Sequence, residues 1–126
     1  MSQLLGSGKI FLVREPISGR FGIPRLMAML SSKDFGIDWN GIDEITVVTF
    51  NRRRNRCIML HCDFAGVDRT VRVLNSGLFK VDLGSDIIPE QLTRGTLRRL
   101  LLDGTLSGEY AHPYVQKALE NKVEND

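Results

Sequence analysis

The sequence predicts an α+β fold, a mostly antiparallel sheet of about five strands packed with two or three helices. Three observations predict it. Four short strand-like runs separated by turns follow one another between residues 44 and 83, as in an antiparallel meander. Two stretches, one from Ile23 and one leading to Leu101, space their apolar residues as a helix does. The chain has 126 residues, the length of one domain, and can bury a core without metals or disulfides. A single domain over 1–126 is therefore expected.

The first element is the apolar run Lys9-Ile10-Phe11-Leu12-Val13-Arg14, bounded by Gly8 and Pro16, which suits a strand covered on both faces. Ser18-Gly19-Arg20-Phe21-Gly22 is a flexible joint. Beyond it Ile23, Leu26, Met27 and Leu30 fall on one helix face. Pro24 fits only within a first turn, so this helix should run from about Gly22 to Ser31. Residues 32–40 are polar and turn-rich. Strands are then expected over 44–51, 56–64, 68–74 and 78–83, the third of them with a polar outer face at Asp68, Thr70 and Arg72. Thr93 is placed to cap a second helix carrying Leu97, Leu100 and Leu101, and Gly104 to stop it. A last helical segment is expected near 113–122, where Tyr114, Val115, Ala118 and Leu119 follow Pro113, with a frayed tail after it.

No apolar run approaches the roughly 18 residues of a membrane span, and the first residues lack the basic start of a signal peptide. These features predict a cytoplasmic protein with no membrane partner. Cys57 and Cys62 lie five apart in one expected strand, which points them to opposite faces and predicts two reduced core thiols. The net charge of +2 hides an asymmetry. Residues 9–80 carry 12 Lys and Arg against 7 Asp and Glu, whereas residues 81–126 carry 5 against 8. The sheet-forming part is basic.

That basicity is concentrated in Phe50-Asn51-Arg52-Arg53-Arg54-Asn55-Arg56. Arg53, Arg54 and Asn55 are expected at a hairpin tip, flanked by Arg52 and Arg56. Guanidinium groups are always charged and fork two hydrogen bonds, so such a loop can grip several phosphates. Arg20, Arg69 and Arg72 extend the candidate surface. The alternative is a solvated tip, or arginines paired with Asp63, Asp68 or Glu44. Phe50 and Phe64 read as core, which leaves no aromatic platform for stacked single-strand bases.

Little points to catalysis. Gly6-Ser7-Gly8-Lys9 precedes a strand instead of following one and lacks the spacing of a phosphate loop. His61 and Asp63 share a strand face and would serve a small metal-dependent nuclease, but no nucleophile motif or carboxylate pair accompanies them. The sequence therefore predicts a non-enzyme with no catalytic residues, metal site, cofactor or small-molecule substrate.

The same residues carry a resemblance. Pro16, Arg20, Gly22, Ile23 and Leu26 fall in register with a Pro followed by M-R-K-G-I/F and a Leu-rich helix. Phe50 to Arg56, with Leu60, Asp63 and Gly66, resembles F-x-N-R-R-R-D-R, an apolar strand and W-D-G-x-G, with the Phe-to-Arg spacing one residue tighter. Arg72-Val73-Leu74-Asn75-Ser76-Gly77-Leu78-Phe79 resembles K-R-L-E-x-G-R-F, and Leu92-Thr93 through Gly104 an L-T-x-x-x-L-x-x-L-L-x-G ending with one extra residue. These motifs belong to the TnpB, or second-open-reading-frame, accessory proteins of insertion sequences of the sixty-six type (IS sixty-six), which are unrelated to RNA-guided nucleases of the same name. The resemblance covers residues 9–104, leaving 105–126 outside it. The chain departs from the pattern at Cys62 for Trp, Phe64-Ala65 for Gly-Asp, Phe21 for Lys and Leu78 for Arg.

The resemblance implies an accessory role in DNA transposition, beside a separate DDE transposase that performs the strand chemistry. The expected partners are the DNA of insertion-sequence ends, the transposase, or both, contacted through Arg52, Arg53, Arg54 and Arg56. An adaptor that touches only the transposase remains the alternative.

Overall fold

The computed structural model describes residues 8–85 and 88–106. Over them the order is β1 (Lys9–Leu12), α1 (Ile23–Ser31), β2 (Ile45–Phe50), β3 (Arg56–Cys62), β4 (Val67–Val73), β5 (Glu90–Leu92) and α2 (Arg94–Asp103). All five strands join one sheet in the order β4-β3-β2-β1-β5. Only β1 and β2 run parallel, linked through α1; the other three pairings are antiparallel. The fold is α+β, as the sequence implied. The expected helix over 113–122 lies outside the described residues. Among those residues no helix is long and apolar enough to cross a membrane.

Two apolar layers sandwich the sheet. On one face Ile10, Leu12, Val48, Phe50, Cys57 and Met59 meet Leu97, Leu100 and Leu101 of α2. On the other, Ile45, Val47, Ile58, Leu60 and Cys62 meet Leu26 and Leu30 of α1. Strand alternation thus sends Cys57 and Cys62 to opposite faces, both buried and unbridged. All six residues of the middle strand β2 are buried, which is why its pattern is a nearly unbroken apolar run.

Helix ends follow local chemistry. Gly22 precedes α1 without a side-chain cap, and Pro24 occupies its first turn. Thr93 caps α2, its Oγ1 accepting the Thr96 N–H at 3.1 Å. Gly104 ends α2 at φ 74°, and a Cβ there would stand 2.8 Å from Leu74 Cδ1 and 3.1 Å from the Leu78 carbonyl.

Two expectations need correction. Residues 78–83 do not form a sheet strand. Phe79 and Val81 are buried beneath α2, but among the described residues the segment makes an isolated bridge between Lys80 and Thr105 and single backbone bonds, with no ladder to a strand of the sheet. Their alternation reflects packing against the rim of the core. The fifth strand is β5, three residues beside β1, too short and too polar for periodicity to reveal. Strand β4 has the expected polar residues on the α2 side, yet Val71 and Val73 on the other side are 37% and 56% exposed. It is an edge strand, and its far end reaches beyond the cover of α1.

Candidate nucleic-acid interface

The arginine run lies in the β2–β3 hairpin, and Asn51 organises it. The Asn51 carbonyl accepts the Arg54 N–H at 3.0 Å, and the Asn51 N–H bonds to the Arg56 carbonyl at 3.2 Å. Its Oδ1 accepts the N–H groups of Asn55 and Arg56, both at 3.1 Å, while its Nδ2 donates to Asn55 Oδ1. Arg52 and Arg53 therefore take the two central positions of the turn, one residue earlier than the sequence suggested. Both are exposed. Arg54 follows at φ 61°, a left-handed conformation unusual for a residue with a Cβ. Its carbonyl accepts the Phe79 N–H at 2.8 Å, which docks the loop on the buried Phe79.

The joint after β1 lies against the hairpin root. The chain from Val13 continues along β2, with the Val13 and Ile17 N–H groups bonding to the carbonyls of Val48 and Phe50. Gly19 comes close to the Arg56 stem, since a Cβ on it would stand 3.5 Å from Arg56 Cδ. This sets exposed Arg20 near exposed Arg56. Arg69 secures the joint from β4, with Nε donating to the Phe21 carbonyl at 2.9 Å and a terminal nitrogen to the Gly19 carbonyl at 2.8 Å. Arg25 stacks over the Phe21 ring at 4.6 Å from its centre. Arg72 reaches the other face and donates Nε to the Leu101 carbonyl at 2.9 Å, where cationic charge suits the C-terminal end of α2.

The seven arginines singled out by sequence thus divide. Arg20, Arg52, Arg53, Arg54 and Arg56 form no ion pair among the described residues. Arg69 and Arg72 hold loop and helix carbonyls of their own chain. Arg52 and Arg54 also border a cleft of about 450 Å³ with Pro16, Asp82 and Ser85.

The carboxylates considered as partners sit at the opposite end of the sheet. Glu44 Oε1 accepts the Gly8 N–H at 3.0 Å and stands 3.8 Å from His61 Nε2, and Asp68 Oδ2 stands 3.3 Å from His61 Nδ1. Asp63 Oδ1 accepts the N–H groups of Ala65 and Gly66 at 2.8 and 3.0 Å. The length of β3 separates this end from the hairpin root, about 20 Å at strand rise. His61 and Asp63 consequently do not form the joint site considered from sequence: Asp63 shapes a turn, and His61 lies between Asp68 and Glu44. Among the described residues no group of three His, Cys, Asp or Glu side chains is arranged to hold a metal ion. Burial pushes the Cys57 thiol up to about 12 and the Cys62 thiol up to about 11, so neither supplies a thiolate near neutral pH.

Phe64, expected in the core, is 78% exposed on the turn after β3. It is the wrong end of the strand to assist the hairpin. Sequence reading missed the supporting roles of Asn51 and Phe79. The Asn-Arg junction and the Gly-x-Phe closure were visible as motifs, but their contact was not. Comparison with protein-family models, with curated proteins and with solved structures found no match.

Proposed function

We propose that this chain is a non-catalytic accessory protein of DNA transposition that binds DNA, or DNA assembled with a DDE transposase, through its arginine hairpin. The observation that carries the reading is the display of Arg52, Arg53, Arg54, Arg56 and Arg20 at one end of the sheet, unpaired among the described residues, with Glu44, Asp63 and Asp68 held at the other. Arginines held on a framed loop, with no ion pair among the described residues although Asp82 borders the same cleft, suit a polyanion. Phosphate is the fitting ligand because guanidinium forks match its oxygens and binding releases condensed counterions.

The resemblance to the insertion-sequence accessory proteins supports the transposition pathway. Its motif residues coincide with those that build the hairpin and its supports: Asn51 frames the loop, Phe79 docks it, and Thr93 and Gly104 delimit the helix under which Phe79 is buried. Phe50 is buried, Phe64 lies at the far end of β3, and the Phe21 ring beside Arg20 is already covered by Arg25, which favours duplex backbone over splayed single strands. The protein would act in the cytoplasm and leave strand chemistry to the transposase.

Gel shifts on insertion-end DNA, with and without transposase, test the reading. Replacing Arg52, Arg53 and Arg54 together by Glu should abolish the shift while circular dichroism stays unchanged. Undiminished affinity of that variant for both DNA and the transposase–DNA assembly would sink the proposal. A shift that requires transposase even for the wild type favours the adaptor, in which the same arginines meet an acidic transposase surface and not DNA.

A further inference from the structure

Among the described residues the sheet ends on two unlike edges. Strand β5 is three residues long and follows Pro89, whereas β4 has seven residues, no proline and an unbroken register with β3. A long regular edge offers a row of backbone groups for pairing. The Asp63 N–H bonds to the Gly66 carbonyl at 3.1 Å, and alternation along an antiparallel ladder then fixes the rest. Backbone groups of Asp68, Thr70 and Arg72 face β3. Those of Val67, Arg69, Val71 and Val73 face outward.

We propose that this edge pairs antiparallel with β4 of a second copy of the chain, across a two-fold axis at Thr70. In that register Val67 lies opposite Val73, Arg69 opposite Val71, Asp68 opposite Arg72, and Thr70 opposite its own counterpart. Every outward N–H and C=O of the four odd-numbered residues gains a partner. Asp68 and Arg72 meet in the closer, non-hydrogen-bonded pairs, so the two-fold axis creates two opposite-charge contacts.

Charged residues on an edge ordinarily deter pairing. Here their placement selects one register. Sliding the axis to Arg69 sets that guanidinium against its own copy, and sliding it to Val71 leaves Asp68 opposite Leu74. Arg69 is also drawn onto its own protomer by the carbonyls of Gly19 and Phe21. Arg72 uses Nε on Leu101, and its terminal nitrogens bond to nothing among the described residues. The Asp68 side chain is half exposed, and only its Oδ2 is near His61. The pairing also covers part of Val71 and Val73. It would place two arginine hairpins at opposite ends of a ten-stranded sheet, a consequence for DNA that rests on the preceding reading; the pairing itself does not.

The test uses the full chain in sedimentation equilibrium and a crosslinking series. The wild type should approach twice its 14.2 kDa mass as concentration rises. With diamide as oxidant, Thr70→Cys should form a disulfide to its own copy, because non-hydrogen-bonded partners stand within disulfide reach, while Val71→Cys should crosslink far more slowly. Asp68→Arg should give a monomer, and adding Arg72→Asp should restore the dimer, with circular dichroism confirming the fold of each. A wild type that stays monomeric up to about 1 mM, the weakest range of specific association, overturns the proposal. Equal crosslinking of Thr70→Cys and Val71→Cys, or a folded double variant that remains monomeric, does so independently of whether Asp68→Arg folds.

Discussion

The carbonyl of Arg54 accepts the N–H of Phe79 at 2.8 Å, and the Phe79 ring packs on that of Phe50 with centroids 5.4 Å apart. Charge on the hairpin and packing in the core are thus coupled through one residue. The loop gains a fixed position because Phe79 is buried under α2, and α2 can pack there because Gly104 permits close approach.

Phe79→Ala should cost about 3–5 kcal/mol, the range for removing a fully buried aromatic ring, and should raise the exchange rate of hairpin amides. Urea denaturation reads the first effect and hydrogen exchange the second. A loss no greater than that of an exposed-site substitution would show that Phe79 does not support this rim of the core.

Asn51→Ala removes the acceptor for the Asn55 and Arg56 N–H groups while keeping every arginine. A stability loss of about 1–2 kcal/mol is expected for those local bonds. DNA affinity should fall by several-fold, because the same charges are then presented by a looser loop. Unchanged affinity with lowered stability would mean that charge density alone suffices.

Arg54→Gly tests the backbone at φ 61°. Relief of left-handed strain, about 1 kcal/mol, is largely offset by the extra freedom of glycine in the unfolded chain, about 0.5–1 kcal/mol. Thermal stability should therefore stay level or rise slightly, while Arg54→Val, which keeps a branched Cβ there, should lower it. DNA affinity should drop in both.

The two core thiols give a pH signature. Burial raises Cys57 from 9.0 to about 12 and Cys62 from 9.0 to about 11, with neighbouring Asp63 and Asp68 adding to the second and Arg72 partly opposing the first. The folded protein then keeps protons that the unfolded chain releases. This contribution is fully present below pH 9 and declines as pH rises through the folded values. Thermal unfolding against pH should show an alkaline fall that flattens in Cys57→Val. An identical slope in that variant would assign the fall to other groups.

Much of the fold was legible because single periods dominate its elements. Ile23 to Leu30 and Leu97 to Leu101 read as helices since one apolar stripe faces the sheet, and 44–51 and 56–64 as strands since the middle of the sheet is covered on both sides. Residues 78–83 misled because Phe79 and Val81 alternate like a strand while packing on the rim of the core. Glu90-Gln91-Leu92 was hidden because its place beside β1 is set by tertiary pairing. Within the interface, charge density located the hairpin. The division of labour was invisible, since nothing local distinguishes Arg69, tied to carbonyls about 50 positions away, from Arg20, exposed beside them.

The most direct measurement is the salt dependence of DNA affinity for the wild type and for Arg52→Gln/Arg53→Gln/Arg54→Gln. Each phosphate neutralised contributes about −0.9 to the slope of log affinity against log salt, so four hairpin arginines should give a slope near −3.6 or steeper. Removing three should make it shallower by about 2.7 with the fold intact. A wild-type slope near zero, or one that the triple substitution leaves unchanged, would contradict the assignment of DNA contact to this hairpin.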